Sequence, residues 1–121
     1  MHSPLSTYLL RLLHKHPCVI LPGFGGFVTN YKSASVDSQT DFFSPPSLNI
    51  AFNQALTHND GLLAQEISVQ QDVSFDDAME ILQIHISNLR KELFSEGRSE
   101  ISGLGILYLD KDYRIQFKVA L

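Results

Sequence analysis

A cluster of glycines near the N-terminus is the first feature of the sequence that could carry chemistry. It lies in the stretch Ile20-Leu-Pro-Gly-Phe-Gly-Gly-Phe-Val28, and glycine-rich loops can hold phosphate because their backbone N–H groups approach the anion closely. A P-loop continues into Gly-Lys-Ser or Gly-Lys-Thr, and a dinucleotide fingerprint needs a further glycine that opens a helix. Here the residues after Gly26 alternate as in a strand. The cluster therefore predicts a hairpin in which Gly23 and Gly25 supply positive φ or close backbone approach.

The other reactive side chains form no catalytic or metal-binding pattern. His14 and His16 are two residues apart, so on a helix they point to different sides and cannot chelate one metal together without another ligand. Cys18 has apolar neighbours, which predicts a buried thiol. His85 falls on the apolar stripe of a helix and is interpreted as a core or interface residue. The sequence therefore predicts a protein that is not an enzyme and that uses no cofactor and no metal.

The composition is that of a folded domain with an acidic balance. The 121 residues are 44% hydrophobic and 18% charged, which suits one ordinary domain or two small units that share a core. The net charge is −4, and the excess acid lies after residue 60. Such a chain has no general attraction for nucleic acid phosphates or anionic membranes. With no long apolar run and no signal-peptide pattern, the sequence predicts a cytoplasmic location for these residues.

Hydrophobic periodicity divides the chain into helices and short strands. The predicted helices begin after Ser6, after Asn59-Asp60 and after Ser74, and Gly97 ends the last one. Residues 32–47 are polar with a Pro-Pro pair, which predicts an extended loop or arm. The predicted strands are residues 18–21, 24–31, 48–52, 100–102, 106–109 and 114–119. This order predicts an α+β fold.

The glycine pattern occurs twice. Placing Pro22-Gly-Phe-Gly-Gly-Phe-Val28 over Ser102-Gly-Leu-Gly-Ile-Leu-Tyr108 matches both spaced glycines at an offset of 80 residues, from Gly23 to Gly103. Each copy follows a helix and an apolar strand, so the chain is predicted to contain a duplicated unit. The glycines predicted to shape the two hairpin turns are Gly23, Gly25, Gly26, Gly103 and Gly105.

The duplicated unit resembles HU and IHF proteins. More specifically, the chain is similar to the tandem HU-like domains at the N-terminus of certain bacterial envelope proteins. The resemblance implies a bacterial protein in which a membrane helix and a peptidoglycan-binding SPOR domain follow these residues. The residues that carry it are Leu21-Pro-Gly-Phe-Gly-Gly-Phe-Val28, Tyr31, Pro45-Pro46, Phe52-Asn53 and Asn59-Asp-Gly-Leu-Leu63.

The same resemblance implies two HU/IHF-like units, residues 1–60 with a long arm over 32–47 and residues 61–121 with a helical hairpin. HU proteins form intertwined dimers. The first unit has only one helix before its sheet, so its apolar face would stay open unless the helices after residue 60 cover it. We therefore predict that the two units, each of helices and a small antiparallel sheet, pack as an intrachain pseudo-dimer.

Two kinds of partner follow from this resemblance. HU-type proteins grip DNA with arms whose Arg and Lys meet phosphates, but the arm here carries Lys32 against Asp37 and Asp41. The prediction is therefore a cytosolic interaction module that binds a protein partner or itself through the arm and sheet, without direct membrane contact. The predicted arm contacts are Tyr31, Phe42, Phe43, Pro45 and Pro46. The alternative is an HU/IHF-type DNA-binding protein whose candidate contacts are Lys32, Arg90, Lys91 and Arg98.

Overall fold

A computed structural model of the protein describes residues 4–32, 35–37, 42–44 and 47–119. These residues form three helices and eight strands. The helices are α1 (Pro4–Leu13), α2 (Leu62–Gln71) and α3 (Phe75–Glu96). The strands are β1 (Cys18–Leu21), β2 (Gly25–Lys32), β3 (Ser35–Asp37), β4 (Phe42–Ser44), β5 (Ser47–Asn53), β6 (Arg98–Ile101), β7 (Gly105–Leu109) and β8 (Ile115–Val119). The predicted α+β class is confirmed.

Six of the strands form two antiparallel three-stranded sheets, in the orders β1-β2-β5 and β6-β7-β8, and β3 pairs with β4. The N-terminal unit consists of α1 and the first sheet, and the C-terminal unit consists of α2, α3 and the second sheet. The same kind of turn joins the first two strands of each sheet, β1 to β2 and β6 to β7. The Phe24 N–H donates to the Leu21 carbonyl at 3.0 Å with Gly23 at φ 78°, and Leu104 donates to Ile101 at 2.9 Å. A positive φ at the third turn position is typical of a type II turn.

The helix ends follow their capping residues, with one correction. Ser74 caps α3 as predicted, because its hydroxyl accepts the Asp77 N–H at 3.1 Å, and Gly97 ends α3 at φ 79°. The prediction that Ser6 caps the first helix is wrong. The helix begins at Pro4 and Ser6 is buried within it, since proline is favoured in the first helical turn, where its missing N–H is not needed.

Within the predicted loop over residues 32–47, the described residues pair as antiparallel β-strands. Strand β2 runs to Lys32 opposite Ser47, and β3 pairs with β4 in the same register, with Val36 opposite Phe43. The ladder that begins in the sheet therefore continues into the arm. The polar composition indicated an arm but did not reveal its strand pairing, because polar residues are tolerated where a hairpin leaves the core.

The two units share one hydrophobic core. A single cluster of buried side chains includes Leu9 and Phe27 from the N-terminal unit together with Leu82 and Leu107 from the C-terminal unit. The Phe27 ring meets the Phe117 ring edge-on, with centroids 5.2 Å apart, a favourable aromatic arrangement. This core shows the intrachain packing of the two units.

Reciprocal contacts relate the units by approximate twofold symmetry. Arg90 of α3 donates to the Gly23 carbonyl at 2.8 Å, in the turn of the other unit. Leu10 of α1 lies against Gly103, with its Cδ1 2.9 Å from the position that a β-carbon on this glycine would take. Leu10 and Arg90 are separated by the same 80 positions as Gly23 and Gly103. Each helix therefore contacts the hairpin turn of the opposite unit, as in an intertwined dimer.

Candidate interaction surface

Gly25, Gly26 and Gly105 lie at closely packed positions of the two hairpins, whereas Gly23 has open space where a side chain would be. A β-carbon on Gly25 would come within 2.8 Å of the Phe52 ring, and one on Gly105 within 2.7 Å of the Phe117 ring. Gly26 lies under Leu56, whose side chain would be 3.0 Å from an added β-carbon. Aromatic and aliphatic side chains therefore pack against Gly25, Gly26 and Gly105, and the hairpin geometry accounts for their positions.

On the outer face of the first sheet, strand alternation places a single charged residue among the described positions, Lys32 at the arm end of β2. Strand register places alternate residues of β1, β2 and β5 on this face, since successive side chains point to opposite sides of a sheet. We call the part of this face that precedes Lys32 the neutral face. It includes exposed or half-exposed apolar side chains and three asparagines. Its residues are Cys18, Val28, Asn30, Asn49, Ala51 and Asn53.

The corresponding face of the second sheet differs in charge. There Arg98 lies opposite Tyr108, and Tyr108 lies opposite Gln116. The next row places Glu100 and Lys118 on either side of Ile106. This charged face carries both signs, whereas the neutral face carries none in its described residues. The two sheets of the pseudo-dimer therefore present chemically different surfaces.

The predicted arm contacts lie on the hairpin that extends the neutral face. Backbone pairing sets Tyr31 opposite Leu48, Phe42 opposite Asp37 and Phe43 opposite Val36. The remaining two predicted contacts, Pro45 and Pro46, lie outside the described residues. Strands β3 and β4 keep the pairing register of β2 and β5, and strand alternation places Tyr31 on the side of β2 opposite to the neutral face.

The candidate DNA contacts come from three separate elements. Arg90 and Lys91 lie on α3, Arg98 begins β6 and Lys32 ends β2. The guanidinium of Arg90 donates to the Gly23 carbonyl and lies over the Phe24 ring, with Cζ 5.7 Å from the ring centroid. Arg90 is thus engaged between the units although it is exposed, and Lys91 and Arg98 are exposed as well.

Three titratable groups in the described part of the chain have a pKa displaced from its ordinary value. Burial raises the pKa of the Cys18 thiol, and the carboxylate of Asp60 raises it further. Burial lowers the pKa of His85. A side-chain hydrogen bond from Gln116 and a backbone hydrogen bond from Arg114 lower the pKa of Asp110. A raised pKa keeps the thiol protonated, which is the opposite of what a reactive cysteine requires.

The described residues contain no group of three or more His, Cys, Asp or Glu side chains that could hold a metal ion. Within the same residues, every buried side-chain nitrogen and oxygen has a hydrogen-bond partner. No helix in the described part of the chain combines the length and apolar character needed to cross a membrane.

Sequence reasoning missed several residues that join distant parts of the chain. The Ile20 N–H donates to Oδ2 of Asp60 at 3.1 Å, and the Ile115 N–H donates to Oε1 of Gln54 at 3.2 Å. The neutral face was also missed as a surface. Its one signal in the sequence is the loose alternation in β2 and β5, but only the strand register shows which residues share a face.

Two family models match the chain along almost its full length. The CCDC81-like prokaryotic HU domain 1 matches residues 3–60, and the CCDC81-like prokaryotic HU domain 2 matches residues 61–120. The chain therefore belongs to this family and consists of two tandem HU-like domains. A comparison with curated proteins and with solved structures finds no match.

Proposed function

We propose that the chain is a non-enzymatic HU-like interaction module that binds a protein partner through the neutral face and the arm. The observation that carries the proposal is that the neutral face has no charged residue, and that Lys32 at the arm end of β2 is the single cation that alternation adds to this side of the sheet among the described residues. A duplex exposes a dense row of phosphates, and proteins that wrap it supply Arg and Lys at the contact surface. Small apolar side chains with asparagines instead suit a protein surface, where core contacts are depleted of charge.

The arm supports the same proposal. It extends the ladder of β2 and β5, and its sequence over residues 32–47 has one cation, Lys32, against Asp37 and Asp41. Each neutralised phosphate contributes about one unit to the salt dependence of DNA binding. An arm with one lysine therefore supports little phosphate binding.

Two variants test the proposal, and each places one positive charge at one of two equivalent positions in the two units. Ala51 on the neutral face and Gln116 on the charged face occupy equivalent places, each one residue before the phenylalanine that opposes β2 or β7. We expect the A51R variant to lose partner capture from cells of the source species, measured by cross-linking and mass spectrometry. The Q116R variant is expected to retain it. Equal capture by both variants would contradict the assignment of the neutral face.

DNA binding is the second candidate, because the family is HU-like and Lys91 and Arg98 are exposed. It is tested with a mobility-shift titration of a duplex at two salt concentrations. We expect no shift at physiological salt. Submicromolar binding with a steep salt dependence would replace the protein-binding proposal with the DNA-binding one.

The wider setting comes from the resemblance stated for the sequence. A cytosolic location, a membrane helix and a peptidoglycan-binding SPOR domain in the same protein stay predictions. In that setting the module would be the inward-facing end of an envelope protein. Its partner would then be a cytosolic protein or a second copy of the chain. Light scattering distinguishes these two cases, because self-association would give the purified chain the mass of a dimer or larger oligomer.

A further inference from the structure

A groove of about 240 Å³ opens at the hairpin turn of the C-terminal unit. We call it the open groove. It lies where the start of the β6-β7 hairpin meets the end of β8, away from the neutral face. Its lining is mostly apolar, with one acidic and one basic side chain at the rim. The lining residues are Glu100, Ile101, Gly103, Gly105, Ile106, Lys118 and Val119.

The equivalent place in the N-terminal unit is covered by the chain itself. The covering segment, residues 54–60, follows β5. The Gly23 N–H donates to the Thr57 carbonyl at 2.9 Å, and the Ile20 N–H donates to Oδ2 of Asp60 at 3.1 Å. Positions 20 and 23 correspond to positions 100 and 103 of the open groove through the 80-residue offset. The occupied site in one unit therefore shows what the open site in the other can bind.

The two backbone donors of this site recur in the open groove. The Leu109 N–H donates to the Gly97 carbonyl, which fixes which residue pairs of β6 and β7 are hydrogen-bonded. Because such pairs alternate along an antiparallel ladder, Glu100 and Ile106 form a non-hydrogen-bonded pair, and the Glu100 N–H points away from β7. The Gly103 N–H lies in the turn. In the described part of the chain, neither donor has a protein acceptor. The groove thus offers the same pair of donors that a carbonyl and a carboxylate satisfy in the N-terminal unit.

One difference changes the shape of the site. Gly26 leaves room for Leu56 of the covering segment, with the Leu56 Cβ 3.0 Å from an added β-carbon. Ile106 occupies the corresponding position of the open groove. Its side chain takes up space that Leu56 occupies in the other unit. A ligand of the open groove therefore needs a smaller residue than leucine at that point.

We propose that the open groove binds an extended peptide with the acceptor pattern of the covering segment. The peptide offers a backbone carbonyl to the Gly103 N–H and, three residues later, a carboxylate to the Glu100 N–H. The residue before the carbonyl is small, because Ile106 fills the space beside it. Lys118 at the rim adds attraction for the acidic residue. This site is independent of the neutral face, so its test does not depend on the function proposed above.

The test is an NMR titration of the isotope-labelled chain with three synthetic peptides. The first has the sequence of residues 53–60, the second carries L56A, and the third carries both L56A and D60N. We expect the L56A peptide to shift the amide signals of Glu100, Gly103 and Ile106 with a dissociation constant of about 0.1–1 mM. The D60N change should weaken binding about tenfold, because it removes a charge-assisted hydrogen bond.

The leucine-containing peptide is expected to bind several-fold more weakly than the L56A peptide. In the I106A variant this difference should shrink, whereas I84A, an exposed change on α3, should leave it unaltered. Should I106A fail to fold, the three peptides on the unmodified chain still decide the matter. No shift at Glu100 and Gly103, or equal affinity for the two L56A peptides, would overturn the proposal.

Discussion

Arg90 joins the two units through a single side chain. Its guanidinium donates to the Gly23 carbonyl and lies over the Phe24 ring. We expect R90A to lower the free energy of unfolding by about 1–2 kcal/mol, because it removes one charge-assisted hydrogen bond and one cation–π contact. The neighbouring K91A variant should change it by no more than about 0.5 kcal/mol. Urea denaturation measures both, and equal losses would show that Arg90 contributes nothing specific.

His85 makes the stability of the protein sensitive to acid. Burial lowers its pKa from the ordinary value of 6.5, so the unfolded chain takes up a proton at a higher pH than the folded chain. The stability associated with neutral His85 is complete above about pH 6.5 and is lost as the pH falls through the lower folded pKa. We expect H85Q to reduce the drop in melting temperature between about pH 7.5 and about pH 5. An unchanged drop, relative to an H14Q control, would contradict this role.

Local residue roles were predictable where the partners are close in sequence. The Ser74 cap and Gly97 at the end of α3 depend on neighbours within one helical turn, so sequence spacing identifies them. Asp60 and Gln54 were not predictable as sheet contacts. Their partners Ile20 and Ile115 lie 40 and 61 positions away, and only the folded chain brings these groups together.

At the scale of elements, the first hairpin contains two glycines with different physical requirements. Gly23 has φ 78° and open space around its α-carbon, whereas the Phe52 ring lies against Gly25. We expect G23A to cost about 1 kcal/mol through backbone strain. We expect G25A to cost about 2–3 kcal/mol, because an overpacked site must displace a ring that also contacts Phe24 and Phe27. Thermal unfolding measures both, and the reverse order would contradict the packing described.

The strands of the two three-stranded sheets could be predicted from the sequence. The arm could be predicted only as a projecting segment, without its strand pairing. A compact apolar run identified β1, which is buried along most of its length, and alternation identified β8. The arm pairs β3 with β4 in the register of β2 and β5. The register of that pairing follows the neighbouring ladder of β2 and β5 and does not depend on the composition of residues 32–47. The hydrophobic periodicity of these residues therefore could not show the pairing.

At the scale of the whole molecule, duplication produced two sheets with different surfaces. The repeat of Gly23 and Gly25 at Gly103 and Gly105 predicted two related units, and the structure joins them in one core. The neutral face could not be predicted, because it depends on which residues of three strands align. One extended hairpin and one short turn at Asp110 then leave the pseudo-dimer with a single long arm among its described elements.

Fragment complementation tests the shared core most directly. Residues 1–60 and 61–121 are produced separately, and unfolding is followed by circular dichroism for each fragment and for the equimolar mixture. We expect each fragment alone to lack a cooperative transition, because Phe27 and Phe117 pack against each other across the two units. The mixture is expected to form a one-to-one complex that unfolds cooperatively. Cooperative unfolding of the isolated fragment 1–60, at the temperature of the intact chain, would contradict a single core shared by both units.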